Sequence, residues 1–71
     1  MEWFKNVFLP SFKTGETRIS EKQYNIFMKY LHVDEYETGY VRGKKDTIDG
    51  VKINAYEWSS VYGLQYYVVI E

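Results

Sequence analysis

Only a few side chains in this 71-residue sequence have types and spacings that could do chemistry. A Ser-His-acid arrangement needs a base oriented toward a nucleophile. The sequence around the one histidine, His32, gives no indication of a nucleophile. His32 stands near the end of a predicted helix, where a protonated imidazole suits the helix dipole. The carboxylates are scattered and single out no general acid and base pair. The sequence therefore predicts that the protein is not an enzyme.

The sequence also contains no pattern typical of a metal or cofactor site. Asp46 and Asp49 precede Gly50 in a way that superficially resembles a calcium loop, but the alternating ligands and the closing bidentate glutamate are missing. The absence of cysteine excludes disulfides and thiolate zinc sites, and a single histidine cannot build a multi-histidine site. The glycines fit neither a phosphate-binding loop nor a dinucleotide fingerprint. We expect no metal and no cofactor.

The residue types that stand out are aromatic and cationic, and aromatics alone make up 20% of the chain. Strand alternation in the C-terminal half predicts one sheet face that carries Tyr40, Arg42, Lys44, Lys52, Tyr56, Trp58 and Tyr67. Tyrosine, tryptophan and arginine dominate the hot spots of protein–protein interfaces. Aromatic and cationic groups on a sheet also stack bases and hold phosphates in single-strand binders. This face is therefore the candidate functional surface.

The overall charge favours a protein partner over nucleic acid. The formal net charge is −1, whereas phosphate binding depends on accumulated cations. We expect a protein partner, with single-stranded nucleic acid as the alternative, and the partner-binding residues are predicted to be Tyr40, Arg42, Lys52, Tyr56, Trp58 and Tyr67. A third interpretation stays open, in which the N-terminal helix covers this face or the face is the partly solvated side of an ordinary antiparallel sheet.

Two helices are predicted ahead of the strands. A short N-terminal helix within residues 1–9, stopped by Pro10, would carry an apolar stripe of Trp3, Phe4, Val7 and Phe8. The clearer signal is "ISEKQYNIFMKYLH", in which Ser20 is a good N-cap and Gln23 completes a capping box. The core stripe of this second helix is Tyr24, Phe27, Met28 and Leu31. Ile26 and Tyr30 widen the apolar arc, so they lie under the N-terminal helix or contact a partner.

From Tyr40 onward the hydrophobic period changes to two, which predicts strands at about residues 40–47, 51–58 and 64–70. Asp49-Gly50 and Gly63 supply tight turns, and tight turns join antiparallel strands. Residues 11–18 and 33–39 are polar and predict loops. The fold predicted for residues 1–71 is a single α+β domain with a short N-terminal helix, one main amphipathic helix and a three-stranded antiparallel meander.

Two details of the strands follow from alternation. Tyr66 is predicted to lie on the same face as the aliphatic residues of its strand, under the main helix, and Tyr67 on the reverse face. The register of the first hairpin is less regular, because a strict two-residue turn would pair Asp46 with the apolar Ile53. We expect a longer loop or a bulge before Asp49 to repair that mismatch.

The N-terminus lacks the basic and apolar regions of a signal peptide, and no stretch approaches the ~20 apolar residues of a membrane span. We expect a cytoplasmic protein that does not bind membranes. A domain of this size has a small core, and oligomerisation, for example as a homodimer, is a support that remains open to it.

A very short, cysteine-free chain rich in Tyr, Lys, Ile and Asn, with "SEKQYNIFMKYL" ahead of a meander, resembles the small accessory proteins of bacteriophages and prophages. Anti-CRISPR and other anti-defence inhibitors are similar in size and build. The resemblance implies an inhibitor or adaptor that binds a host protein or complex stoichiometrically in a bacterial cytoplasm.

Overall fold

The computed structural model describes residues 1–71 as a five-stranded antiparallel sheet with helices on one face. The N-terminal helical segment consists of a π-helical turn, Phe4–Phe8, and a 3-10 turn, Leu9–Ser11. The remaining elements are β1 (Gly15–Ile19), α1 (Glu21–Tyr30), β2 (Asp34–Thr38), β3 (Val41–Ile48), β4 (Val51–Ser60) and β5 (Gly63–Ile70). The strand order in the sheet is β1-β5-β4-β3-β2.

The predicted α+β domain with a three-stranded meander is wrong, because the chain is mostly β and its sheet has five strands. The three predicted strands correspond to β3, β4 and β5. The two segments predicted as loops contain the edge strands, β1 and β2. Tyr36 is the only residue of β2 that is not exposed, so this strand shows no apolar alternation. Charged residues on edge strands also protect the sheet from pairing with other chains.

The β3–β4 hairpin turns on Asp49-Gly50, as predicted, and both residues have positive φ (50° and 79°). Such a two-residue turn matches the twist of the flanking strands. The expected longer loop or bulge is wrong, because Asp46 pairs directly with Ile53. The Asp46 carboxylate accepts hydrogen bonds from the backbone N–H groups of His32 (2.9 Å) and Thr47 (2.7 Å). These bonds satisfy the charge without any shift in register.

The core lies between the sheet and the helices. Phe27 of α1 is fully buried, and its ring contacts the rings of Phe4, Phe8 and Phe12 at centroid distances of 5.8, 5.1 and 5.3 Å. The sheet contributes Ile48, Ile53, Ala55, Val68 and Ile70 from its helix-covered face. Tyr30 stacks on Phe4 at 4.6 Å, so the N-terminal segment takes up part of the extra apolar width of α1.

The predicted capping box at the start of α1 is present. The Ser20 hydroxyl accepts from the Gln23 N–H (3.1 Å), and the Gln23 side chain accepts from the Ser20 N–H (2.9 Å). These two bonds satisfy backbone donors that the first turn of a helix otherwise leaves unpaired. The cap therefore fixes the point where the chain leaves β1 and enters α1.

Replacing Ser20 by alanine should lower the free energy of unfolding by about 1 kcal/mol, the usual value of a lost N-cap. In a domain of this size that loss corresponds to a fall in Tm of about 4–8 °C. Thermal melting followed by circular dichroism measures it. Ser59→Ala is the control, because Ser59 is exposed and its hydroxyl makes no hydrogen bond within the chain. Equal melting of the two variants would show that the cap contributes nothing.

Candidate functional site

Both helical elements pack on one face of the sheet, so the other face, here called the open face, has no covering element. The strand registers place five residues of the open face side by side in one row that crosses every strand. In sheet order these residues are Arg18, Tyr67, Tyr56, Gly43 and Tyr36. The three tyrosines of this set are called the tyrosine row below. They are half-buried by one another and by their neighbours.

Two rings of the tyrosine row are stacked. The centroids of Tyr56 and Tyr67 are 5.3 Å apart, and the angle between the ring planes is 22°. The Tyr67 hydroxyl donates to the side-chain oxygen of Gln65 at 3.1 Å. The Tyr56 hydroxyl donates to the Glu16 carboxylate on β1. Because both ends of the stacked pair are hydrogen-bonded to the sheet, their orientation is fixed before any partner arrives.

The third ring depends on a glycine. Tyr36 reaches across β3 so that its hydroxyl donates to the Asn54 side-chain oxygen on β4 at 2.7 Å. A Cβ atom on Gly43 would lie 2.9 Å from the Tyr36 hydroxyl and 2.8 Å from the Tyr56 Cβ, and it would overlap the Ala55 carbonyl oxygen. Glycine is therefore required at this point by the close approach of its neighbours.

The electrostatics of the row favour neutral phenols. Burial raises the pKa of Tyr36. Burial, and then the hydrogen bond to the Glu16 carboxylate, raise the pKa of Tyr56. Both hydroxyls consequently keep their protons and act as donors at physiological pH. The charged side chains around them are of both signs, with Arg18, Lys45 and Lys52 against Glu16 and Asp34.

The predicted site residues do not all share this face. Tyr56, Trp58 and Tyr67 lie together on it, and Lys52 lies on it two rows away, exposed to solvent. Tyr40 is not in a strand, because it belongs to the β2–β3 turn, where it is 75% exposed. The prediction that Arg42 lies on the open face is wrong.

Arg42 and Lys44 point toward the helix side of the sheet. Arg42 forms ion pairs of 3.8 Å with Glu37 and Glu57, and the Lys44 ammonium donates to the Met28 carbonyl at 3.0 Å. The helix α1 packs mainly over β4 and β5, and it reaches β3 through the bond from Lys44 and through the Tyr24 hydroxyl, which donates to the Arg42 carbonyl at 3.3 Å. Three helix-side residues of β3, Arg42, Lys44 and Asp46, are polar, and only Ile48 at the end of the strand is in the core. The alternation of this strand therefore gives little indication of which face is inside.

Several open-face residues were missed because they lie on the edge strands. Tyr36 is surrounded by acidic residues in "DEYET", which is typical of a solvated loop. Gly39 was the residue from which β2 could have been predicted, because a glycine turn between two short segments indicates a hairpin. In the structure Gly39 has a φ of 54°. Arg18 and Glu16 belong to a strand that has only one buried residue.

No three His, Asp or Glu side chains come close enough together to hold a metal ion. No helix has the length and apolar character needed to cross a membrane. Comparisons with known protein families, with curated proteins and with solved structures found no match. The open face is thus the feature from which a function can be proposed.

Proposed function

We propose that this chain is a small non-enzymatic protein-binding module that engages its partner through the open face. The observation that supports the proposal is the tyrosine row, whose three rings are carried by β5, β4 and β2, are fixed by hydrogen bonds and are covered by no part of the chain. Rigid aromatic side chains lose little conformational entropy on binding, which is why they are common as anchors in interfaces. Tyr56, Trp58 and Tyr67 would be the anchors.

The distribution of charge supports a protein partner over nucleic acid. The open face carries acidic Glu16 and Asp34 among its cations, and Arg42 and Lys44 point the other way. A surface that binds phosphates needs cations that its own carboxylates do not offset. Mixed charges around an aromatic centre are instead typical of the polar rim of a protein interface.

The class of partner follows from the resemblance to small phage and prophage accessory proteins. Such a chain would act in the bacterial cytoplasm as an inhibitor or adaptor, by occupying a surface of a host protein in stoichiometric amounts. A fixed aromatic face suits this role because blocking a surface requires affinity and no chemistry.

The test is binding to a protein captured from a bacterial lysate on the immobilised chain. Tyr67→Ala and Trp58→Ala should each weaken binding about 30-fold, which corresponds to the 2 kcal/mol scale of a hot spot. Trp3→Ala is the matched control, because Trp3 is 47% exposed on the N-terminal segment and Trp58 is 42% exposed on the open face. Equal loss of binding in Trp3→Ala, or none in the other two, would contradict the proposal.

Single-stranded nucleic acid remains the second candidate, because stacked Tyr56 and Tyr67 on a bare sheet face are suited to stacking bases. A fluorescent oligonucleotide titrated at low and then moderate salt separates the two functions. Under the protein-binding proposal no tight binding is expected. Tight binding that weakens steeply with salt and is lost in Tyr67→Ala would favour nucleic acid instead.

A further inference from the structure

Exposed apolar side chains are concentrated at one end of the sheet. Val41 pairs with Trp58, so the β2–β3 turn and the β4–β5 turn lie at the same end. This end, called the tip, carries Tyr40, Trp58, Val61, Tyr62 and Leu64. Val61 and Tyr62 are 93% and 90% exposed. Apolar patches of this kind on a folded protein generally mark an interaction site.

The tip extends beyond the rest of the fold. The pairing of β1 with β5 stops at Tyr66, so Gly63–Gln65 has no neighbouring strand on its outer side. The helix α1 begins beside Tyr66, whose hydroxyl donates to the Glu21 carboxylate at 3.2 Å. Leu64 on the helix side and Trp58 on the open face are both more than 40% exposed. The turn end of the β4–β5 hairpin is thus bare on both faces.

The tip is also preformed and uncharged. The Ser60 hydroxyl accepts from the Tyr62 N–H at 3.1 Å and donates to the Gly63 carbonyl at 3.0 Å, which holds the turn. A concavity of about 670 Å³ at the tip is lined by Tyr40, Trp58, Ser59, Ser60, Val61, Tyr62 and Gln65. None of these residues is charged, although 27% of the chain is Asp, Glu, Lys or Arg.

From these observations we propose that the tip binds the tip of a second copy of this chain, forming a two-fold homodimer. In a two-fold interface each patch meets its own copy, so a charged patch would face a like charge. An uncharged aromatic patch meets its copy without that penalty, and depletion of charge with enrichment in aromatics is typical of interface cores. An anionic membrane is a poorer match, because surface anchors usually carry several cations beside the apolar residues.

The dimer would also add to a small core. Only 12 of the 71 residues are buried in the single chain, and no disulfide or metal cluster supplements them. Domains of this size often gain stability from oligomerisation. Burying Val61, Tyr62 and Tyr40 against a second copy would remove from water the three most exposed large apolar side chains of the molecule.

Sedimentation of the purified chain across low micromolar to millimolar concentration tests the proposal. The mass should rise from the 8.5 kDa of one chain toward twice that value. Val61→Asp should weaken self-association at least about tenfold, because it places two carboxylates in the interface. An aspartate is compatible with this exposed turn, so the variant should keep the circular dichroism spectrum of the parent.

Val7→Asp is the matched control, since Val7 is 60% exposed on the N-terminal segment, away from the tip. It should associate like the parent. A parent chain that stays at 8.5 kDa at every concentration overturns the proposal, as does a Val61→Asp variant that dimerises normally. These measurements use the purified chain alone, so their outcome is independent of whether the open face binds a partner.

Discussion

Phe27→Ala should cost about 3–5 kcal/mol, comparable to the whole stability expected of so small a domain, and leave the chain largely unfolded at room temperature. Phe27 is fully buried and lies among the rings of Phe4, Phe8 and Phe12. Its removal would leave a cavity at the point where α1 and the N-terminal segment meet. The chain has no cysteine, so no disulfide can hold these elements together.

Circular dichroism and urea unfolding measure this effect. Tyr62→Ala is a suitable control, because it also removes an aromatic ring but from a position that is 90% exposed. The control should unfold at the urea concentration of the parent when both are compared as monomers. If Phe27→Ala unfolds at the same urea concentration as the control, the aromatic cluster is not the core that stabilises this fold.

Gly43→Ala should be the next most damaging change, with a loss of about 2–3 kcal/mol. A Cβ there would overlap the Ala55 carbonyl oxygen and lie 2.9 Å from the Tyr36 hydroxyl. The backbone of β4 cannot move away easily because it pairs with a strand on each side. The strain should also break the hydrogen bond from Tyr36 to Asn54.

The same urea titration measures the loss, and Thr47→Ala serves as the control on the same strand and face, where the side chain is exposed. The control should stay within about 0.5 kcal/mol of the parent. Gly43→Ala should also bind the protein partner more weakly even under conditions where it is folded, because it displaces one ring of the tyrosine row. Unchanged stability would mean that the sheet relaxes around an added methyl group at no cost.

The local signals in the sequence were the ones that predicted structure correctly. Ser20 and Gln23 are three residues apart and form the capping box, and Asp49-Gly50 forms the predicted two-residue turn. Alternation also placed the adjacent tyrosines on opposite faces. Tyr66 lies near Tyr24 on the helix side, at a ring distance of 5.0 Å, and Tyr67 lies on the open face. Each of these features depends on residues that are close together in the chain.

Features that depend on distant parts of the chain were not predictable in this way. The strand β2 is recognisable only beside β3, since Asp34, Glu35 and Glu37 have the composition of a loop. The prediction that Arg42 lies on the open face was wrong for a related reason. The helix packs mainly over β4 and β5, and nothing within the sequence of β3 shows that this strand lies at the margin of the covered area.

The open face, centred on the tyrosine row, is the proposed binding surface. Titrating the captured partner onto the isotope-labelled chain and following backbone amide shifts by NMR tests it most directly. We expect the largest changes at Arg18, Gly43, Tyr56 and Tyr67, with little change at the exposed residues of α1 such as Lys22. Changes concentrated on α1 or the N-terminal segment, with the tyrosine row unperturbed, would contradict the claim.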